Sequence, residues 1–259
     1  SRPRVCLMPS RSAPAFPAAA VNWLVGPDPA TVLDVGSGDG RLAAALTAAG
    51  HAVTCVDSDR EQVHRLTHKV PSAAVCVAQA ESLPLKSFCF DAVTVQESVT
   101  RFAPGLALSE FARVLRPGGF LGVVITSRDD TVTWVKRLAR RLQEDDPTAM
   151  VGDYGSGALA ALQESHYFPA VESRAFRYWV PVTRDGLLTM VRRRPAIAKL
   201  PQDRLDGLLA DVGELYTSLA RGPDPLLLPY QTDCRRPQVD HGDLTMPIHD
   251  DGLRISMRF

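Results

Sequence analysis

An apolar segment of this chain leads directly into a turn that carries three glycines at alternate positions. Residues 32–41 read VLDVGSGDGR, and the alanine-rich stretch 42–49 follows them. Glycine adopts the positive φ angles of a tight turn and leaves no Cβ between the backbone and a ligand, while the first turn of a helix offers unpaired N–H groups. The segment therefore predicts a strand, a turn and a helix that together bind an adenosine-bearing ligand.

The sixth position of the turn distinguishes between two classes of adenosine ligand. The dinucleotide fingerprint requires glycine at the first, third and sixth positions, and its last glycine allows the helix to pack closely on the strand beneath a pyrophosphate. The sixth position here is Arg41. Arginine at this point argues against NAD or FAD as the ligand.

An acidic residue lies at the distance expected for a ribose contact. Asp57 ends the apolar run 52–56 and follows Gly36 by 21 positions. A carboxylate at this point of a nucleotide-binding fold accepts hydrogen bonds from both ribose hydroxyls. Asp57 also has a simpler explanation, because aspartate favours helix N-caps and a helix is predicted to begin near Asp59. We favour ribose binding, because a site of this type needs an acid there.

Further segments continue the pattern in order along the chain. Residues 80–85 read AESLPL and residues 90–95 read FDAVTV, which predicts a loop followed by a strand. Residues 110–119 read EFARVLRPGG and lead into a strand predicted from Phe120. A helix ends in this segment because proline lacks an N–H and glycine suits a C-terminal cap. We therefore assign the proline and glycines there a structural role.

Taken together, the segments between residues 31 and 126 resemble the class I S-adenosylmethionine-dependent methyltransferases, in which Asp-x-Gly-x-Gly-x-Gly is motif I. The similarity is to the ubiquinone-methyltransferase-like group, which includes actinobacterial relatives of trans-aconitate methyltransferase. The resemblance implies S-adenosylmethionine as methyl donor and a Rossmann-like α/β fold. That fold is a doubly wound, mostly parallel seven-stranded sheet with helices on both faces and a helical insertion before the last strand. The donor-binding residues that it implies are Asp34, Gly36, Ser37, Gly38, Asp57, Ser58, Gln79, Ala80, Glu81 and Gln96.

The chain departs from this family at the positions that carry substrate chemistry. Residues 100–103 read TRFA where the family has His-Trp-Phe-Asp, residues 126–127 read TS in place of Trp-Asn, and Gln79 replaces an acid. The missing histidine is the group whose pKa would suit general-base catalysis near neutral pH, so we assign no catalytic residue. Two alternatives stay open: a catalytically silent S-adenosylmethionine-binding protein and, less supported because of Arg41, a nicotinamide-dependent reductase.

Three residues are candidates for binding the methyl acceptor, which we expect to be a small molecule. Glu97 directly follows a predicted strand and is expected to project into the cleft, although a solvated carboxylate is an equal alternative. Arg101 and Arg128 suit a carboxylate-bearing acceptor, because a guanidinium group binds a carboxylate through two parallel hydrogen bonds. These arginines point toward an acidic metabolite without establishing one.

Strand and helix patterns alternate along the chain, which predicts parallel strands joined by crossover helices. We expect one methyltransferase domain over residues 1–236, with a donor-binding core at 17–126 and a tail at 237–259. Two helical patterns within 183–222 interrupt the alternation before the last strand. They predict either a lid over the substrate or a helical pair that covers a sheet edge.

The charge balance gives no sign of a polyanionic partner, because 29 lysines and arginines are matched by 29 aspartates and glutamates. Basic runs at 136–137, 140–141 and 192–194 lie on helical patterns and are interpreted as solvated faces, so a nucleic-acid substrate is not expected. The five cysteines lack metal-ligand spacing and are expected to be reduced. No metal site is predicted, including in the polar tail. The sequence lacks a secretory signal and a membrane-length apolar run, so we expect a cytoplasmic protein.

Overall fold

The computed structural model describes residues 16–149, 156–220, 222 and 224–242. The predictions for Cys6 and for the tail beyond residue 242 lie outside this part of the chain. Cys55 and Cys234 are buried, whereas Cys76 and Cys89 are half-buried, and all four are free thiols. None of these four forms a disulfide with another described residue.

Seven strands form one twisted sheet. In chain order they are β1 (Thr31–Val35), β2 (Ala52–Asp57), β3 (Ala74–Val77), β4 (Phe90–Gln96), β5 (Leu115–Arg128), β6 (Val171–Val182) and β7 (Leu226–Pro237). Across the sheet the order is β3-β2-β1-β4-β5-β7-β6, and β7 runs antiparallel to both of its neighbours, while the pairs among β1 to β5 are parallel. The predicted doubly wound, mostly parallel sheet is confirmed. Strand order reverses between β1 and β4, so their carboxyl ends flank the crevice where such sheets bind ligands.

Helices connect the strands on both faces of the sheet. Within the described residues they are α1 (Ala18–Val25), α2 (Arg41–Ala48), α3 (Arg60–Lys69), α4 (Pro104–Val114), α5 (Thr133–Gln143), α6 (Ser156–Gln163), α7 (Arg184–Arg192) and α8 (Gln202–Leu219). Short 3-10 turns occupy Ser98–Arg101 and Ile197–Lys199. Sequence analysis did not predict α6, whose eight residues include only two polar side chains and show no clear polar face.

Strand β5 begins earlier than the sequence predicts. The prediction started this strand at Phe120, whereas it begins at Leu115. Gly119 makes the earlier start possible, because a Cβ there would lie 2.9 Å from the carbonyl oxygens of both Asp91 and Arg116. Leu115 pairs with Phe90 of β4 and Phe120 pairs with Ala92, so the residues between them, which include Pro-Gly-Gly, form a bulge opposite Asp91 in which Gly118 has a φ of 82°.

Three clusters of buried side chains hold these layers together. Alternate side chains of β1 and β4 point to opposite faces of the sheet and therefore belong to different clusters. On one face they pack with α4 and α6. On the other face they pack with α1, α2 and α3. A third cluster joins α5, α7 and α8 to Val182 and Leu228 at the ends of β6 and β7. The two helices predicted before the last strand are thus present, and they pack on α5 around a core of their own beside the carboxyl edge of the sheet.

No helix in the described part of the chain combines the length and apolar composition needed to cross a bilayer. Over the same residues, no three histidine, cysteine, aspartate or glutamate side chains converge in a way that could hold a metal ion.

Candidate functional site

The glycine turn connects β1 to α2 and lies against the carboxyl end of β2. Gly36, Gly38 and Gly40 have positive φ angles of 65°, 50° and 73°. The N–H of Gly36 donates to the carbonyl oxygen of Val56 at 2.7 Å, which ties the turn to β2. A Cβ on Gly36 would overlap the side chain of Ser98. Glycine is therefore required at this position both for backbone conformation and for packing.

Helix α3 holds the other side of the turn. A Cβ on Gly40 would lie 2.6 Å from Cδ2 of Leu66. The Nζ of Lys69 donates to the main-chain carbonyl of Asp39 and lies 3.6 Å from its carboxylate. The guanidinium of Arg41 lies 3.1 Å from the same carboxylate. Packing and two cations thus fix the position of Asp39 within the turn.

The acid at the end of β2 is bonded to the glycine turn. Asp57 is buried, and its Oδ2 accepts a hydrogen bond from the N–H of Gly38 at 2.9 Å. Its Oδ1 accepts from the N–H of Asp59 at 3.0 Å. The N-cap of α3 is Asp59, whose Oδ1 accepts from the N–H of Glu61 at 2.8 Å. The capping role that competed with ribose binding therefore belongs to Asp59.

A cavity of about 510 Å³ opens at the carboxyl edge of the sheet beside this acid. Its lining residues are Val35, Gly36, Asp57, Ser58, Ala78, Gln79, Ala80, Glu81, Arg101, Phe102, Ala103 and Leu106. Six of the ten predicted donor-binding residues are in this set, together with the acceptor candidate Arg101. The other four, which are Asp34, Ser37, Gly38 and Gln96, do not line the cavity.

The wall formed by residues 79–85 is anchored to α4. Glu81 accepts a hydrogen bond from the N–H of Ala103, the residue before α4, at 2.7 Å. Glu110 accepts from the N–H of Leu83 at 2.8 Å, and Arg113 donates to the carbonyl oxygen of Leu83 at 3.0 Å. Arg113 also holds Glu110 at 2.6 Å, which lowers the pKa of the Glu110 carboxyl. This wall is therefore fixed by charged groups on a neighbouring helix.

Asp34 lies on β1 beneath the turn and outside the cavity. It is 1% exposed, and its Oδ1 accepts a hydrogen bond from Thr94 at 2.8 Å. Among the described residues nothing is in hydrogen-bonding position to its Oδ2, which is buried. Burial raises the pKa of the carboxyl to about 6, and the nearby charge of Asp57 adds to this effect. A positive charge placed above this buried carboxylate would stabilise its ionised form.

Strand β4 ends at Gln96, and Glu97 then redirects the chain into a 3-10 turn. The N–H of Glu97 donates to the carbonyl oxygen of Val124 at 2.9 Å, and its φ angle is 57°. A positive φ is uncommon for a residue with a Cβ and is concentrated at functional sites. Glu97 is exposed and is not among the residues that line the cavity. Surrounding protein atoms desolvate its carboxyl and raise the pKa, while Arg41 and Arg101 oppose this effect.

The two arginines predicted to bind a carboxylate face different spaces. Arg101 is exposed and lines the 510 Å³ cavity. Arg128 ends β5 and lines a separate small cavity between α5 and α7, where it lies among leucines that include Leu138 and Leu187. Its Nε is buried and has no hydrogen-bond partner within the described residues. The two guanidinium groups therefore do not converge on one ligand in this conformation.

Sequence analysis missed five of the residues that line the cavity: Val35, Ala78, Phe102, Ala103 and Leu106. Of these five, Phe102 and Leu106 have the largest side chains. Phe102 packs edge-on against Phe111, with ring centroids 6.2 Å apart, and presents its ring beside Gly36. Leu106 lies in the first turn of α4 and is 62% exposed. Phe102 could have been found, since it occupies the aromatic part of the segment compared with His-Trp-Phe-Asp. Leu106 carries no comparable signal, because nothing in a sequence distinguishes it from an ordinary surface leucine.

Comparison with protein families identifies the region that contains the turn and the cavity. A profile described as a methyltransferase domain matches residues 33–123 of this chain. The match begins in β1 and ends in β5, so it includes every predicted donor-binding residue.

Similarity to individual proteins extends over most of the chain. An uncharacterized methyltransferase of Mycobacterium tuberculosis is 30% identical over 233 residues, covering 87% of this chain and 90% of that protein. An uncharacterized methyltransferase-like protein of Schizosaccharomyces pombe is 27% identical over 229 residues, covering 85% and 88% of the two chains. A solved structure described as a type II methyltransferase from Anaeromyxobacter dehalogenans superposes with a TM-score of 0.67, at 23% identity, covering 88% of this chain and 98% of that one.

Proposed function

The chain belongs to the class I S-adenosylmethionine-dependent methyltransferases, and on this premise we propose that it methylates a small-molecule acceptor at the carboxyl edge of the sheet. One observation carries the proposal: the cavity at the end of β1 and β2, bounded by Gly36, Asp57 and the 79–81 segment. Its volume of about 510 Å³ lies within the range of small-ligand pockets.

The residues around the cavity suit S-adenosylmethionine. Gly36 lines the cavity through its backbone, and a Cβ there would overlap Ser98. We assign Asp57 and Ser58 to the ribose, and Gln79, Ala80 and Glu81 to the adenine edge. Asp57 keeps capacity for this role, since each carboxylate oxygen can accept more than one hydrogen bond.

We assign the turn and the end of β4 to the methionyl end of the donor. Ser37 and Gly38 would contact it through the backbone, and Gln96 would lie beside the methyl group. Asp34 would act through its charge, because its buried carboxylate lies under the turn and has one oxygen without a described partner. A buried carboxylate stabilises a cation above it, and both the amino group and the sulfonium of this donor are cationic.

Methyl transfer from a sulfonium places few demands on catalytic groups. The bound donor supplies an already activated methyl group. The task of the protein is to align the acceptor and to exclude water, and alignment alone can lower a barrier by several kcal/mol, about 7–11 in well-oriented systems. Residues 100–103 supply no histidine, but Arg101 and Phe102 both line the cavity. We therefore assign them to the acceptor side, where Arg101 would bind a carboxylate if the acceptor carries one.

We also propose that different segments of the domain have different roles. Residues 17–126 would bind the donor, and the insertion at 183–222 would act as a lid, within a methyltransferase domain that extends to residue 236. The lid role is supported by the position of α7 and α8, which pack on α5 beside the same edge of the sheet as the cavity. A lid of this kind excludes water during transfer.

Titration calorimetry tests the donor assignment. We expect heat of binding with S-adenosylmethionine and with its demethylated product S-adenosylhomocysteine, and no heat with NADH. Absence of binding with both sulfur compounds would overturn the assignment, and binding of NADH alone would favour a reductase. Incubation with methyl-labelled donor and a metabolite extract then separates enzyme from silent binder. Labelled product is expected, whereas none across a broad panel would favour the silent binder.

A further inference from the structure

A hydrogen bond joins two walls of the donor cavity at the start of α4. Glu81 belongs to the 79–81 wall, and its Oε1 accepts from the main-chain N–H of Ala103 at 2.7 Å. Glu81 and Ala103 both line the cavity, and so do Arg101 and Phe102, which directly precede Ala103. Glu81 is half-buried. The bond therefore links the wall assigned to adenine with the segment assigned to the acceptor.

The same bond supplies a cap that α4 lacks in its own sequence. Ala103 is the N-cap residue of this helix and makes no side-chain capping bond, because alanine carries no acceptor atom. Pro104 follows it, and the first turn of the helix contains no acidic residue. A carboxylate near the start of a helix is stabilising, because the N-terminal end of the helix dipole is positive. Glu81 thus provides this negative charge from another segment of the chain.

The segment that leads into α4 is held at both of its ends. Its first residue, Ser98, is buried and donates through Oγ to the carbonyl oxygen of Val35 at 3.1 Å, which fixes it to β1. Its last residue, Ala103, is held by Glu81 on the facing wall. Arg101 lies between these ends and is exposed. Loss of the bond to Glu81 would therefore free the end of the segment that carries the residues assigned to the acceptor.

A ligand in the cavity would change the surroundings of this bond. The cavity opens at the carboxyl edge of the sheet and Glu81 is half-buried, so water competes for the carboxylate. A donor that fills the cavity replaces this water, and a hydrogen bond to a charged group is stronger in surroundings of lower dielectric constant. Donor binding therefore strengthens the bond between Glu81 and Ala103. By linkage, the bond strengthens donor binding by the same factor.

We propose that Glu81 is a positioning residue that couples donor binding to the placement of residues 101–103, so that the acceptor side of the cavity is completed when the donor is bound. The proposal rests on the proposed function, because it takes this cavity as the donor site. Glu81 can serve both walls, since its carboxylate has a second oxygen for the adenine edge. It has no contact with the acceptor and transfers no proton. In kinetic terms, the donor binds first and the acceptor second.

Hydrogen exchange at the main-chain amide of Ala103 tests the coupling. The full chain is measured by NMR with and without saturating S-adenosylhomocysteine. Amides of β7, which lies outside the cavity, report the global stabilisation that any bound ligand produces. We expect the ligand to slow exchange at Ala103 about tenfold more than at these reference amides, which is within the usual range of coupling factors, roughly 5–150.

Two substitutions separate coupling from a purely structural role. In Glu81→Ala, the ligand should slow exchange at Ala103 no more than at the reference amides, at ligand concentrations raised to restore saturation. Glu81→Gln keeps an oxygen that can accept the hydrogen bond but lacks the charge, so it should retain only part of the extra slowing. A purely structural role would speed exchange at Ala103 in the free variants but would leave the effect of the ligand unchanged.

Asp59→Ala is the matched control. Asp59 also accepts a main-chain N–H in the first turn of a helix, from Glu61 at 2.8 Å, and it does not line the cavity. This variant should show the full effect of the ligand at Ala103.

Two results would overturn the proposal: a wild-type effect at Ala103 no larger than that at the reference amides, or an extra slowing that Glu81→Ala retains. If Glu81→Ala does not fold, Glu81→Gln decides, because an extra slowing equal to that of the wild type would also overturn it. Failure of the wild type to bind S-adenosylhomocysteine in calorimetry would refute the donor assignment itself. It is recognised separately because calorimetry precedes any exchange measurement.

Discussion

The main-chain N–H of Gly38 donates to Oδ2 of Asp57 at 2.9 Å, so the glycine turn after β1 and the acid that ends β2 form one hydrogen-bonded unit. Residues 19 positions apart in the chain thus depend on each other for their positions. A donor that binds Asp57 would meet a carboxylate that the turn already orients. Preorganisation of this kind lowers the entropic cost of ligand binding.

Asp57→Ala should weaken S-adenosylmethionine binding by about 1–3 kcal/mol, the usual range for a lost charge-assisted hydrogen bond. Asp59→Ala is the matched control, because it removes the N-cap of α3 without removing a cavity residue. It should cost about 0.5–2 kcal/mol of stability and leave donor affinity unchanged. Calorimetry and urea denaturation measure the two effects. An Asp57→Ala protein that binds the donor like the wild type would remove Asp57 from the site.

Gly36→Ala should weaken donor binding by about tenfold or more, because the added Cβ overlaps Ser98 and also requires a positive φ. Gly50→Ala is a control for the conformational cost alone, since Gly50 has a φ of 93° and open space around its Cβ position. It should lower stability but leave donor affinity unchanged. Adding Ser98→Gly to Gly36→Ala should restore part of the binding. If the double variant binds no better than the single one, crowding by Ser98 is not the cause.

Asp34 should make stability depend on pH in a specific direction. Its pKa is about 6 in the folded protein against 3.8 as an ordinary value, so the unfolded chain loses this proton at lower pH. The ionised carboxyl therefore destabilises the fold progressively as pH rises from about 4 to about 6, and the effect is absent below this window. Two pKa units correspond to about 3 kcal/mol.

The measurement compares wild type and Asp34→Asn by urea denaturation at pH 4 and pH 7. The variant cannot ionise, so its stability relative to the wild type should increase by roughly 2–3 kcal/mol between the two pH values. This comparison cancels the fixed cost of placing an amide at the site. A relative stability that is equal at both pH values would show that Asp34 does not titrate in this range.

Lys69→Met should weaken donor binding severalfold with little loss of stability. Lys69 holds the main-chain carbonyl of Asp39 within the turn, yet its side chain is 46% exposed, and exposed ion pairs contribute little to folding. Lys136→Met is a suitable control, because Lys136 is an exposed lysine on α5. Equal donor affinities for the two variants would assign Lys69 to the solvated surface. Lys69→Arg should retain most of the binding.

Local sequence signals predicted much of this fold. The glycine turn, the alternating strands and helices, and the pair of helices before β7 all depend on residues close together in the chain. The early start of β5 could not be predicted, because it depends on Gly119 passing between carbonyl oxygens of Asp91 and Arg116. Helix α6 escaped prediction because its short sequence lacks a clear polar face.

The candidate site likewise has a part that local sequence predicted and a part that it did not. The ends of the strands placed six of the ten predicted donor-binding residues around one cavity. The sequence could not show that Arg101 and Arg128 face different spaces. That outcome depends on how α5 and α7, which are far from Arg101 in the chain, pack around Arg128. The hydrogen bond from Ala103 to Glu81 likewise joins residues that follow two different strands, 22 positions apart in the chain. Such relationships arise only in the assembled sheet.

The separate core of α5, α7 and α8 has a consequence for divergence within the family. Substitutions inside that cluster can reshape the region over β5, β6 and β7 while leaving the side chains that pack beneath the glycine turn unchanged. The two parts of the chain can therefore accept substitutions independently of each other. The match to the family profile ends at residue 123, so it includes the glycine turn and none of these three helices.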